Sequence, residues 1–452
     1  MSEIKVNKIS PRTNCGTVQL GDSGDTITIP AGATITNNGT QTGFGRTGTV
    51  NWQTTIYTNS NSPLTVESGK GYFLNTTSGT ITINLPAGSV GAIVAFKDYA
   101  NTWDNNNVTV TPNGSDKIGG VAGNAILSTE SQSVTLIFAD STRGWLDIHD
   151  STSNVQSAQY IAATGGTETT VCTNFKVHTF TGPGTFCVSS AGNAAGSNSV
   201  DYVVVAGGGG GGGRDHGSGG GAGGYRESPG TTTCYTASPL GATPAVALPV
   251  TVTGFPITVG SGGAGRTATP CQAGCSGSPS TFSTITSAGG GAGGGGPGSG
   301  ANGGSGGGGD NGNSQKGSGN TPIVNPPQGN DGSVSGYGSP HYGMGGGGGA
   351  SATGGTASPS AGGSGGAGTA SEINGTPTLR AGGGGGSSYN GGTAGPGGPG
   401  GGGNGTRGAN TNGTAGTANT GGGGGGGERS VPSVGGKNGG SGIVIIRYKF
   451  QN

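Results

Sequence analysis

The sequence has few charges, few aromatic side chains and no long apolar run, and each scarcity excludes a class of function. Charged residues are 8% of the 452 residues and the formal net charge is zero. No basic stripe is therefore available for nucleic-acid phosphates or for an anionic membrane surface. No run of about 18 apolar residues occurs, so we expect no membrane insertion. The start, Met1–Val6, lacks the apolar segment of a secretory signal, so we expect export only by cell lysis or another route.

Signatures of catalysis and metal binding are equally scarce. The glycines satisfy Gly-x-Gly-x-x-Gly many times, but a dinucleotide site needs a helix after that motif and none is expected here. The histidines show no metal-ligand spacing: His149, His178, His216 and His341. The acids available for a glycosidase pair are better explained as solvated residues at strand ends and turns: Asp98, Asp104, Asp140 and Asp147. We therefore expect no enzyme activity, no metal and no cofactor.

The cysteines leave the redox state open. The six are Cys15, Cys172, Cys187, Cys234, Cys271 and Cys275. Cys172 and Cys187 lie on opposite arms of a predicted hairpin, so a cross-strand disulfide between them is plausible, and free thiols are the alternative. Cys271-x-x-x-Cys275 lacks the matched second pair of a zinc site.

What the sequence does contain is glycine, 112 residues of it, concentrated in tracts such as 207–213, 345–349 and 421–427. Collagen is excluded because its glycines recur at every third position, whereas here they are consecutive. Consecutive glycines can form extended threefold helices that pack sideways and hydrogen-bond to several neighbours, which satisfies a buried backbone. Disorder is the alternative for such a composition. The dense tracts and short inserts favour an ordered domain of packed polyglycine-II-like helices over residues 207–452.

Two apolar strands frame this region, at 200–205 and 443–448. Their β-branched side chains would be exposed to water unless the two strands pair with each other or pack on the glycine tracts. Further short strands are predicted inside the region, at 255–259 and 282–285.

The rest of the chain also predicts an all-β fold, since helical periodicity is absent throughout. Residues 1–48 hold strands too short to bury a core unless identical copies complete it, which predicts a trimeric β stem. Residues 49–152 contain all three tryptophans and closely spaced strand patterns, and they predict a compact β domain. Residues 153–206 form a connector with a β-hairpin that pairs 175–180 with 185–188.

Several stretches resemble the fibre proteins of tailed phages. A β module recurrent in tail fibres is similar to Gly69–Thr76, Ile81–Pro86, Lys97–Tyr99, Asn106–Val110, Asn113–Ile118 and Asp140–Trp145. Met1–Ile9 and Gly21–Ala33 resemble the N-termini of marine, especially cyanobacterial, phage fibres. The frame from Tyr202–Gly207 to Gly440–Tyr448 resembles the glycine-rich domain of phage adhesins.

This resemblance implies a homotrimeric virion fibre, assembled in the host cytoplasm and acting outside the cell. Its N-terminus would bind a phage tail or neck protein, and residues 49–152 would form a trimeric domain. Loops between polyglycine tracts would attach it to a host-surface polysaccharide or outer-membrane protein. The alternatives are a purely structural neck, collar or head fibre, and a tail-spike-like enzyme that degrades polysaccharide.

The inserts between glycine tracts carry most of the side chains that could recognise a receptor. Tyrosine and arginine anchor many recognition surfaces because they offer contact area and hydrogen bonds at modest entropic cost. The receptor-binding candidates are Arg214, His216, Tyr225, Arg226, Tyr337, His341, Tyr342, Tyr389 and Arg407. For each residue taken singly, the alternative is a loop residue that only caps the glycine lattice.

Overall fold

A computed structural model describes residues 50–150 and 158–452. Gaps in the second range fall at 214–215, 231–233, 244–245, 267–271, 297, 311–314, 337, 390, 409–412 and 429–434, and only isolated residues are described before 50. The strands predicted for the stem lie mostly outside the described residues. The chain divides into two units, Met1–Val50 and Asn51–Asn452, and the description below concerns the second.

The described residues form an all-β protein, as predicted. They contain no α-helix, only a 3₁₀ turn at Asn59–Asn61. No helix within the described ranges has the length and hydropathy that a membrane span needs.

The compact domain is built from two sheets. Its strands are β1 Asn51–Thr58, β2 Leu64–Thr65, β3 Lys70–Asn75, β4 Ile81–Asn84, β5 Ile93–Asp98, β6 Val108–Thr111, β7 Ala125–Leu127, β8 Ser133–Asp140 and β9 Gly144–Asp150. The sheet orders are β1-β3-β5-β8-β9 and β2-β4-β6-β7. The first six strands alternate between the two sheets, and each pairs in parallel with the next strand of its own sheet, so the chain forms a short coil. The later strands β7 and β8 pair antiparallel with β6 and β5 at the end of this coil.

Side chains that alternate along these strands fill the space between the two sheets. Tyr72 and Leu74 point inward from β3, and both Trp103 and Trp145 are fully buried. Burying two indole rings removes a large apolar area from water and contributes strongly to the stability of the domain. The compact domain therefore has its own hydrophobic core.

A second pair of sheets forms the base of the glycine-rich region. Its strands are β10 Ile161–Thr164, β11 Thr167–Val171, β12 Phe175–Phe180, β13 Gly184–Ala191, β14 Ser199–Val205, β15 Tyr225–Ser228, β16 Leu248–Pro249, β17 Gly254–Thr258, β18 Ser280–Phe282, β19 Ile285–Ser287, β20 Thr369–Ser371, β21 Thr378–Arg380 and β22 Ile443–Lys449. The orders are β10-β13-β17-β18-β19 and β11-β12-β22-β14-β15, with β16 beside β14 and β20 paired to β21.

The two framing strands pair with each other, which is one of the two arrangements that their apolar composition left open. β14 and β22 are antiparallel neighbours, with Val203 opposite Ile445. Tyr202 and Val204 face the core between the two sheets, while Val203 and Val205 face a second core on the other side. Burial on both faces explains why these strands are apolar at nearly every position.

Two predicted features of this region are wrong. β12 pairs with β11 and β22, whereas β13 pairs with β10 and β17, so residues 175–180 and 185–188 do not form a hairpin. Cys187 lies on β13, whereas Cys172 lies in the turn that follows β11 of the other sheet, so the cross-strand disulfide has no basis. The segment 282–285 is not a strand but the turn between β18 and β19, with Ser283 in the left-handed region at φ 52°.

The glycine tracts hydrogen-bond with a period of three. The amides of residues 207–213 donate, in order, to the carbonyls of Ser278, Gly440, Gly221, Cys275, Lys437, Ser218 and Gln272. Every third amide thus donates to the same neighbouring segment, and each successive acceptor lies three residues earlier in that segment. The carbonyls of this tract accept bonds from three further segments, 263–266, 290–293 and 424–427. One tract is therefore surrounded by six others and bonded to each.

This arrangement explains why the tracts consist of glycine. A Cβ atom built on any residue from Gly207 to Gly213 would come within 1.8–2.6 Å of a neighbouring backbone oxygen. The tracts carry neither helix nor strand assignment. The polyglycine-II-like helices remain a prediction, which the period of three supports because such helices have three residues per turn.

Candidate functional site

The glycine block has two ends with different side chains. Segments 207–213 and 217–224 run antiparallel, because Gly209 donates to Gly221 and Gly212 to Ser218. The chain therefore reverses between Gly213 and Gly217, at the end remote from β14 and β15. We call this end the tip. It also contains the reversals near 342, 359, 389 and 407, which isolated bridges and backbone hydrogen bonds connect to one another.

Three aromatic side chains from separate loops meet at the tip. The ring centroids of His216 and Tyr342 are 5.5 Å apart, and those of His216 and Tyr389 are 5.6 Å apart. Tyr342 and Tyr389 complete the set, with centroids at 6.2 Å and an interplanar angle of 61°. All three side chains are partly buried. We call these residues the aromatic cluster.

Backbone hydrogen bonds connect these loops to one another. Tyr389 N–H donates to the His341 carbonyl at 2.8 Å, and His341 N–H donates to the Pro359 carbonyl at 3.0 Å. Tyr342 N–H donates to the Gly338 carbonyl at 3.0 Å. The turns that carry the rings are thus bonded to each other and continue into the rigid glycine tracts.

Two residues of the aromatic cluster have strained backbones. His216 has φ 84° and Tyr342 has φ 43°, both in the left-handed region that non-glycine residues rarely adopt. Such strain costs on the order of 1–3 kcal/mol per residue and concentrates at functional sites. In both residues the strained backbone occurs together with a ring that lies in the aromatic cluster.

The other predicted binding residues fall into three groups. His341 is partly buried beside the aromatic cluster, and Arg407 is exposed on the segment that bridges Ser388, so both lie at the tip. Arg226 lies at the opposite end, on β15. Arg214 and Tyr337 lie outside the described residues.

The predicted position of Tyr225 in an exposed loop is wrong. It begins β15 and is 1% exposed, in the core with Val203 and Val205. Its hydroxyl donates to Glu227 at 2.9 Å, and burial raises the pKa of Tyr225 well above its ordinary value. Glu227 also accepts bonds from Ser238 N–H at 2.9 Å and Ser371 Oγ at 2.6 Å. Tyr225 is therefore part of a satisfied buried network at the base.

The aromatic cluster has the chemical groups to bind a ligand. Edge-to-face rings leave part of their π faces available for stacking, and tyrosine hydroxyls and imidazole nitrogens can exchange hydrogen bonds with a ligand. The described residues contain no group of His, Cys, Asp and Glu side chains that could hold a metal ion.

The acids considered for glycoside cleavage have structural roles in two cases. Asp98 is 1% exposed and accepts bonds from the backbone amides of Thr102, Trp103 and Ser131. Asp140 accepts bonds from the amides of Thr142 and Arg143. Both carboxylates organise turns, as interpreted, but Asp98 is buried and the expectation of a solvated carboxylate is wrong for it.

Two features at the base were not predicted from the sequence. One is a cavity of about 440 Å³ lined partly by Asp201, Val246, Tyr448 and Lys449. The other brings Cys172 and Cys234 together beside the buried Arg447. Both depend on chain segments that are distant in sequence, so no local pattern signals them.

Comparison with known proteins gives two family matches. The model of the glycine-rich domain matches residues 179–449, more than half of the sequence, and the chain belongs to this family. Residues 12–148 match the model for the N-terminal part of bacteriophage T4 gp9/10-like proteins. Over 74 residues the chain is 40% identical to the baseplate wedge protein gp10 of Enterobacteria phage T4, covering 16% of this chain and 12% of gp10.

These matches confirm the resemblance to tailed-phage fibre proteins. They also make the protein a component of the virion, as the resemblance implied. The relative is a baseplate wedge protein, and the chain spans only a small part of its length.

Proposed function

We propose that the protein is a homotrimeric, non-enzymatic fibre that attaches the virion to the host cell surface through the tip of its glycine block. The observation that carries the proposal is the aromatic cluster, in which three loops bring His216, Tyr342 and Tyr389 together at the end remote from the base.

The architecture supports this division of labour. The glycine tracts have no room for side chains, so groups able to recognise a ligand are confined to the reversals. A rigid scaffold that presents loops is a common arrangement for binding sites. Rings with adjacent hydrogen-bonding groups suit either a polysaccharide or a loop of an outer-membrane protein, and both remain candidate receptors.

The trimer and the attachment to the virion rest on other parts of the chain. Trp52 and Ile56 on the edge strand β1 are 40% and 39% exposed, and the Trp52 ring lies 4.9 Å from that of Phe73. Exposed apolar side chains of this size are suited to contact with another copy. The match of residues 12–148 to a phage family supports anchoring of the N-terminal part to a tail or neck protein.

The attachment proposal is tested with Tyr342→Ala and Tyr389→Ala. Labelled protein is incubated with host cells, and bound protein is measured alongside thermal unfolding. Each substitution should weaken binding at least tenfold, as expected for truncated anchor residues, with little change in the unfolding midpoint. The matched control is Tyr99→Ala, which truncates a tyrosine 52% exposed in the compact domain and should bind normally.

Other outcomes would select the alternatives. If the parent protein does not bind host cells at all, a purely structural neck, collar or head fibre is favoured. New reducing ends from host polysaccharide would indicate a tail-spike-like enzyme. Light scattering tests the assembly, since a chain of 42.7 kDa should form a particle of three times that mass. A monomer would refute the trimer.

A further inference from the structure

Two cysteines far apart in sequence meet at the base of the glycine block. Cys172 begins the turn between β11 and β12, and Cys234 lies in the segment between β15 and β16. A single atom, Nη2 of Arg447, contacts both sulfurs, at 2.8 Å from Cys234 Sγ and 3.5 Å from Cys172 Sγ. Because both sulfurs contact the same nitrogen atom, the two thiols lie close to each other. They are near neighbours although 61 residues separate them in the chain.

Arg447 places a buried positive charge beside the two thiols. The side chain is completely buried on β22, between the rings of Phe175 at 4.6 Å and Tyr235 at 5.0 Å. Its Nη1 donates to the Ile373 carbonyl at 3.1 Å. Asp201 lies opposite Arg447 in the pairing of β14 with β22. A buried cation of this kind favours a negative charge nearby, and the thiols are placed to supply one.

The two thiols are not equivalent. The hydrogen bond from Cys234, and then that from Arg447, lower the pKa of the Cys172 thiol. Burial raises the pKa of the Cys234 thiol. Both residues are nevertheless exposed, so a small reagent can reach them. This is the asymmetry of an attacking and a resolving cysteine.

We propose that Cys172 and Cys234 form an intramolecular disulfide when the protein meets a small-molecule disulfide. The Cys172 thiolate attacks one sulfur of the reagent, forms a mixed disulfide and releases one thiolate. Cys234 then loses its proton to solvent and attacks the Cys172 sulfur, which releases the second thiolate. Two protein thiols are oxidised, and one reagent disulfide is reduced to two thiols.

The bond would fix the base of the domain. It connects the turn after β11 with the segment after β15, across the end of β22, the last strand of the chain. A cross-link stabilises a fold mainly by restricting the unfolded chain. Because a virion component passes from a reducing cytoplasm to an oxidising exterior, the bond would form after release.

The experiment uses the full-length protein, reduced or treated with oxidised glutathione, then alkylated and mapped as peptides without reduction. The expected result is a peptide linking Cys172 to Cys234, a loss of two titratable thiols and a higher unfolding temperature, all reversed by dithiothreitol. Cys172→Ser and Cys234→Ser should each abolish the linked peptide. The control Cys187→Ser should retain it, because Cys187 is also exposed but lies in another sheet.

If a variant fails to fold, peptide mapping of the parent protein is sufficient to test the proposal. Glutathione adducts on Cys172 or Cys234 without the linked peptide would overturn the proposal. A cross-link from either residue to Cys187, Cys275 or another chain would also overturn it.

Discussion

A single methyl group placed inside a glycine tract tests whether the block is as closely packed as the structure indicates. Gly210 lies in the middle of the tract 207–213, and a Cβ atom built on it lies 2.2 Å from the Ala264 oxygen and 2.8 Å from the Gly263 oxygen. Both atoms belong to backbone, which cannot rotate away. Gly210→Ala therefore requires the segment 263–266 to move by about 1 Å to restore van der Waals contact.

The cost follows from the bonds that this movement weakens. Gly263 N–H donates to the Gly208 carbonyl at 2.8 Å, and Cys275 N–H donates to the Ala264 carbonyl at 2.9 Å. Each is worth about 0.5–1.5 kcal/mol. Replacing glycine by alanine also restricts the unfolded chain, which offsets about 0.4–1 kcal/mol of the loss. Compared with a glycine-to-alanine change at an open position, which has the same effect on the unfolded chain, we expect a destabilisation of about 1–3 kcal/mol, similar to other overpacked sites.

The measurement is chemical unfolding of the parent and Gly210→Ala, compared with Gly182→Ala. Gly182 lies between β12 and β13, and nothing lies within 4 Å of a Cβ atom built there, so this control should equal the parent or exceed it. Equal stability of Gly210→Ala and the control would refute the close packing. A variant that does not fold, beside a folded control, would support it.

Three further predictions follow from other parts of the structure. Trp103→Ala should destabilise the compact domain by about 3–5 kcal/mol in chemical unfolding, because the ring is fully buried; a loss below about 1 kcal/mol would contradict that core. Amides of 207–213 should exchange with solvent slowly in hydrogen-exchange measurements, since each is bonded to a neighbouring segment, and random-coil rates would exclude the block. Burial lowers the pKa of His178, so the unfolded chain binds its proton more readily; thermal stability should fall below about pH 6.5 and stay level above it, and His178→Gln should lose this dependence. If His178→Gln kept the same pH dependence of thermal stability, that dependence would arise from other groups.

Much of the fold could be predicted from local patterns. The strand patterns at 71–74, 81–85 and 134–138 coincide with β3, β4 and β8. The apolar strands that frame the glycine region had to find partners, and they pair with each other. In each case a few consecutive residues indicate the strand, because only a few backbone arrangements can bury their apolar side chains.

The candidate site was predicted only in part. The presence of tyrosine, histidine and arginine in the inserts identified His216, Tyr342 and Tyr389, which the structure brings together. The same criterion also selected Tyr225, which is buried, because a residue next to a glycine tract can equally begin a strand. Composition alone does not distinguish the tip from the base.

By itself, the sequence determined the all-β class, the framed glycine region and the absence of collagen, because these depend on residue type and on spacing along the chain. Only the tertiary structure decided which strands pair, since β12 and β13 are adjacent in sequence yet enter different sheets. It also decided which loops share the tip and that Cys172 meets Cys234 beside Arg447. These contacts join segments far apart in the chain, and glycine tracts of nearly identical sequence carry no side chains that would specify their neighbours.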